Sequence, residues 1–208
     1  MENRNYSKEL EKIIGNLNAA PKLLLHCCCA PCSSYCIEYL SEYFEITVLF
    51  YNPNIYPEEE YAHRKSELLR LIREMPVKYP VKFIDCDFES ERFFESVRGL
   101  EDCREGGERC FACYRLRLLK AAQTANQGGF DYFTTTLTIS PLKNARKINE
   151  IGEDLAKEYG VCFLPSDFKK KEGFKRSIEL SRIYNLYRQN YCGCIFSRAS
   201  ETKEKNGS

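Results

Sequence analysis

Five short apolar runs constrain this chain more than any other feature: "KLLLHC" (22–27), "ITVLFYNP" (46–53), "VKFIDCDF" (81–88), "FDYFTTTL" (130–137) and "VCFLPSDF" (161–168). Each is near-continuous in apolar character, the pattern of a strand covered on both faces. Helical stretches separate them. Residues 57–75 open with Pro57 and three glutamates, which suits a helix N-terminus. "SERFFESVRG" offers a Ser cap and a closing Gly, and two further helices are predicted over 108–126 and 143–159. Alternating β and α elements predict an α/β fold with a parallel, doubly wound sheet of about five strands and flanking helices. Ligands of such sheets bind beyond the carboxyl ends of the strands. The 208 residues suffice for one catalytic domain, expected over 1–200, with a frayed tail at 201–208.

Cysteine density after the first run is the second constraint. "LLLHCCCAPCSSYC" places five cysteines within residues 27–36, and the chain holds 12 in all. The N-terminal "MENRNYSKELEKIIGN" is charged and helical and has no signal-peptide h-region. No apolar run approaches the ~18 residues that span a membrane. The expected setting is therefore the reducing cytoplasm, with no membrane partner, where clustered thiols bind metal or do redox work. The overall charge is nearly balanced, 31 basic against 30 acidic side chains, so net charge alone does not argue for nucleic acid. The distribution is uneven. Residues 141–208 hold 14 basic and 9 acidic side chains, so an anionic partner is expected to meet that third of the chain.

The cysteines sort by position. Cys110 and Cys113 form a C-x-x-C pair on one face at a predicted helix start, where the helix dipole favours thiolate. Cys28 and Cys29 would point to opposite faces of a strand, so they serve one centre only if the strand has ended, as Pro31 suggests. The four together suit zinc or an iron–sulfur cluster, and an adjacent Cys-Cys pair, a poor zinc hook, favours the cluster. Cys32 is close enough to be a ligand. Cys27, Cys36, Cys86, Cys162 and His26 read as core residues, and Cys103 is unassigned. In "NYCGCIFS", Gly193 gives a C-x-C pair freedom to close, so Cys192 and Cys194 read as a redox dithiol, with metal ligation as the alternative.

Five segments coincide: "LHCCCAPC", "YNPNIYPEEEYAHR", "RCFACYRLRL", "FTTTLTISPLKN" and "DFKK…LYRQNYCGCIFS". Together, from about residue 22 to 198, they resemble the QueH-type epoxyqueuosine reductases. The resemblance implies an α/β fold like that of the adenine nucleotide α-hydrolases (HUP-like). It implies reduction of epoxyqueuosine to queuosine at the wobble position of tRNA, with electrons passed through a 4Fe–4S cluster from an unidentified donor. It implies an additional mononuclear iron and no cobalamin. Carried over by position, Cys28, Cys29, Cys110 and Cys113 are the cluster ligands, and Cys192 and Cys194 are the redox-active pair. The family pattern also admits Asp at the position of Cys32, which makes Cys32 the candidate ligand of the additional iron. Asp167 is a candidate proton donor or iron ligand.

For tRNA contact the candidates are Lys143, Lys169, Lys170, Lys171, Lys175, Arg176, Tyr187 and Arg188, a basic set interleaved with aromatics that suits phosphates and a splayed base. Two rival readings remain at this point. One is a zinc-stabilised RNA-binding module without catalysis, which leaves Cys192 and Cys194 without a task. The other is an ATP-dependent tRNA thiolation enzyme, which needs a glycine-rich phosphate loop where this chain has "HCCCAPCSS".

Overall fold

A computed structural model describes residues 4–198 of the chain; the expected tail at 201–208 lies outside them. The strands are β1 (Lys22–His26), β2 (Glu45–Phe50), β3 (Lys82–Asp85), β4 (Tyr132–Thr135) and β5 (Cys162–Phe163). They form one all-parallel sheet in the order β3-β2-β1-β4-β5. The helices are α1 (Tyr6–Gly15), α2 (Ala30–Leu40), α3 (Glu58–Glu74), α4 (Ser90–Ser96), α5 (Glu108–Gln127), α6 (Ala145–Tyr159) and α7 (Gly173–Ile183). A 3-10 turn, Thr136–Ile139, follows β4.

The period-2 alternation of strand side chains divides the core. Leu23 and Leu25 of β1, with Ile46, Val48 and Phe50 of β2, pack against α1, α2 and α3. Leu24, Leu49, Phe133 and Phe163 pack under α5 and α6. The sheet is thus covered on both faces, the doubly wound arrangement that the apolar runs predicted.

The strands are shorter than their runs. "FDYFTTTL" yields four ladder residues before turning into the 3-10 segment, and "VCFLPSDF" yields two. β5 is an edge strand paired only with β4, so its first residue is open on one side. Cys162 is therefore exposed and not in the core, a correction to the sequence reading, and Cys86 is only half-buried just past β3. Cys27, Cys36 and His26 are fully buried as expected; the imidazole bonds Thr135 Oγ1 (2.8 Å) and the Tyr51 carbonyl (3.0 Å). The helix at 90–99 differs at its start: Ser90 is its first residue, and Glu89 holds the cap position without a side-chain bond. α6 begins two residues later than predicted, because the Asn144 side chain caps it by accepting from Lys147 N–H at 3.0 Å.

Gly152 of α6 lies directly over β5. A Cβ there would fall inside the van der Waals envelope of three Phe163 ring carbons. Overpacking of this kind costs about 1–3 kcal/mol. Gly152→Ala should lower the urea midpoint accordingly with an unchanged m-value. A midpoint equal to the parent's would mean that α6 shifts freely over the edge strand.

Candidate active site

The site forms where the strand order reverses. β1 and β4 are neighbours at the sheet centre, but the chain leaving β1 enters α2 in one layer and the chain leaving β4 enters α6 in the other. The crevice between such diverging connections is where ligands of doubly wound sheets bind.

The β1 ladder ends with Cys27, whose N–H still reaches the Leu49 carbonyl at 3.0 Å. Cys28 and Cys29 lie beyond it. Cys29 is the extended cap residue of α2, and Pro31 sits in the first turn. This turn brings the Cys28, Cys29 and Cys32 sulfurs within 4.8 Å of one another. Among the described residues no other group of three or more Cys, His, Asp or Glu side chains is gathered as tightly. Such a trio can hold a metal ion. Cys28 is the thiol that ionises most readily: Cys29 and Cys32 donate to its sulfur, and Lys143 and Arg117 add positive potential. The bond to Cys28, together with burial, pushes the Cys29 thiol up to about 12, against the opposing contact with Cys32. The Gln189 amide donates to the Cys29 sulfur at 2.8 Å.

A second thiol group comes from α5 and the chain after α7. Cys110 is in the first turn of α5, where Gly106 N–H donates to its sulfur at 3.2 Å. Burial nevertheless pushes its thiol up, so desolvation outweighs the expected help from the helix end. Burial likewise pushes Cys113 up to about 12 and Cys194 up to about 11. Cys113 and Cys194 share a small apolar cluster with Phe93 and Val97. Cys192 and Cys194 are both free thiols.

Gly193 holds this segment in place. Its φ is +113°, a conformation that side chains disfavour, and an added Cβ would come within 2.9 Å of Arg64 Nη1. Its carbonyl accepts from Tyr56 N–H at 2.8 Å. Arg64, almost fully buried, donates to the Cys192 carbonyl at 3.2 Å and is paired with Glu60 at 2.7 Å.

Both thiol groups meet one cavity of about 340 Å³, whose wall includes Cys28, Cys32, Lys143, Arg188, Tyr191 and Cys192. Burial lowers the basicity of Lys143, but the thiol sulfurs facing it, that of Cys28 among them, more than offset this, so the lysine stays protonated.

A family model described as "Epoxyqueuosine reductase QueH" matches residues 23–200. The chain belongs to the QueH family. Its relatives include proteins named epoxyqueuosine reductase QueH from Staphylococcus epidermidis and Staphylococcus aureus. They are 44% and 45% identical over 200 residues, which is 93% of this chain and 84% and 83% of theirs. Another, from Thermotoga maritima, is 35% identical over 188 residues, covering 88% of this chain and 93% of its own.

Within this QueH-family chain the predicted site residues divide. Cys28, Cys32, Cys192, Lys143 and Arg188 line the cavity. Cys29 joins the trio, while Cys110, Cys113 and Cys194 stand behind in the second group. Asp167 is elsewhere: it is bonded to Lys169 at 2.5 Å and, with Lys170 and Lys171, borders a small hollow against α1. Lys171 pairs with Glu11, Lys175 with Glu172, and Arg176 with Glu38 and Glu179. Tyr187 is committed to Glu60 and stacks edge-on against His63. The structure therefore brings Lys143 and Arg188, and not the 169–171 lysines, to the thiols. Sequence reasoning missed Arg64, Arg117 and Gln189. Arg117 had a usable signal, since it lies four residues after Cys113 on the same helix face.

Proposed function

We propose that this chain reduces epoxyqueuosine to queuosine on tRNA, removing the epoxide oxygen as water. Family membership supports the reaction, and one observation carries the assignment of the site: a dithiol segment and a metal-competent thiol trio open onto the same cavity at the sheet's switch point. Converting an epoxide to an alkene consumes two electrons and two protons and releases water. The Cys192 and Cys194 thiols, on oxidation to a disulfide, supply two electrons and two protons, so the step balances without another reductant. An external electron donor then restores the pair.

The residues present suit an anionic metal centre. The sulfurs converge, and the buried Nη2 atoms of Arg64 and Arg117 lack hydrogen-bond partners. We assign Cys28, Cys29, Cys110 and Cys113 to a 4Fe–4S cluster and Cys32 to an additional iron. When bound, these groups supply single electrons and a Lewis acid for the departing oxygen. Lys143, kept protonated on the cavity wall, offers a positive donor to the alkoxide that develops as the ring opens. Tyr191 gives the cavity an aromatic face on which a base can stack, and Arg188 adds charge for the phosphate backbone. Arg188 is oriented by its bond to Ser181 Oγ at 2.9 Å.

The decisive experiment is to reduce anaerobically purified protein, add tRNA bearing epoxyqueuosine, and analyse the nucleoside digest. Queuosine should appear in proportion to enzyme turnover. A digest containing only epoxyqueuosine, from protein that holds stoichiometric zinc, would sink the proposal in favour of a zinc-stabilised RNA-binding module.

A further inference from the structure

Arg117 is a buried cation without a carboxylate. It is 1% exposed, on α5 one turn beyond Cys113. Its Nε donates to the Cys113 carbonyl at 3.2 Å, while its Nη2 is buried with no partner. Its guanidinium lies 5.8 Å from the Tyr114 ring centre. The other buried arginines are provided for: Arg64 has Glu60, and Arg109 has the Glu101 and Cys103 carbonyls. Among the described residues no Asp or Glu is within ion-pair distance of Arg117, whose charge cannot be shed by deprotonation. A buried charge left uncompensated is strongly destabilising. The groups that can compensate it are the thiols of both groups, Cys113, Cys192 and Cys28 foremost, which lose their protons when they ligate a metal.

We propose that Arg117 is the fixed positive charge that sets the reduction potential of the thiol-held centre, a positioning residue between the thiols after β1 and those that open α5. This rests on the reading of those thiols as cluster ligands. A nearby cation stabilises the reduced, more negative cluster over the oxidised one, so its removal makes reduction harder. Burial amplifies the effect, because a low-dielectric interior screens charge poorly.

The test compares the parent with Arg117→Lys, Arg117→Met and Arg117→Gln, each reconstituted anaerobically, assayed for iron and sulfide, and titrated spectroelectrochemically. The Met and Gln variants should keep the cluster and be at least tenfold harder to reduce, a drop of about 59 mV for one electron. Arg117→Lys should stay near the parent. A neutral variant with full cluster and the parent's potential overturns the proposal. If both neutral variants lose the cluster while Arg117→Lys retains it, the charge holds the cluster in place instead of tuning it, which overturns the proposal. Loss in all three assigns Arg117 to packing and overturns it. A parent that binds no iron and sulfide overturns the cluster reading, and this inference with it.

Discussion

Iron and acid-labile sulfide should both disappear from Cys28→Ala and Cys29→Ala, and from Cys110→Ala and Cys113→Ala, whereas Cys32→Ala should keep its sulfide and lose a single iron. Cys28 and Cys29 belong to the gathered trio, and their sulfurs approach to 3.8 Å. Cys28 and Cys29 alone leave a four-iron cluster two ligands short, and the proposed assignment takes the other two from the C-x-x-C pair of α5, whose Cys113 shares Arg117 as a neighbour with Cys28. Losing a group that merely orients a ligand costs ~10–100-fold in metal affinity, so losing a thiolate itself costs more. The measurement is iron and sulfide per protein chain after anaerobic reconstitution. Full sulfide in Cys110→Ala and Cys113→Ala would mean that Cys28, Cys29 and Cys32 bind metal without α5, and the ligand assignment fails.

Cys192→Ser and Cys194→Ser should each retain the parent's iron and sulfide yet fall to background turnover with a thiol reductant. Neither single variant can form the disulfide that balances the two-electron step. The positions are also unequal. Cys192 is on the cavity wall, while Cys194 is 9% exposed in the cluster with Cys113, and burial pushes its thiol up to about 11. On the proposed redox assignment, Cys192 is thus the member that a substrate or an external thiol reaches, and Cys194 closes behind it. In Cys194→Ser, an alkylating reagent should still label Cys192. Iron loss in either serine variant would show ligation, and full turnover in both would reduce the segment to a shaper of the pocket.

The near-continuous runs were enough to foresee a parallel sheet covered on both faces, because burial on two sides leaves a local mark in the residues themselves. The end of β1 was legible for the same reason: Pro31 fixes where the extended chain must stop, and the placement of Cys28 and Cys29 is set by that. Partners across the fold leave no such mark. Lys169 and Lys171 read as a basic surface, yet Asp167 and Glu11 hold them, the latter 160 residues away. Arg117 has only its spacing from Cys113 to mark it in "YRLRLLK"; its lack of a carboxylate emerges once α5 is laid against the sheet. Cys162 read as core because its neighbours are apolar; only the strand order reveals that it opens an edge.

The thiols around the cavity come from segments far apart in the order of synthesis. Cys32 leaves the ribosome about 160 residues before Cys192. At ~5–20 residues per second, that interval is roughly ten to thirty seconds. Through it, the first thiols exist without the segment around Gly193 that docks on Arg64 and forms part of the cavity wall. A nascent chain is then open to whatever thiophilic ion or oxidant reaches it first. On the proposed ligand assignment, metal supply and the pace of translation thereby become joint determinants of how many finished molecules are loaded.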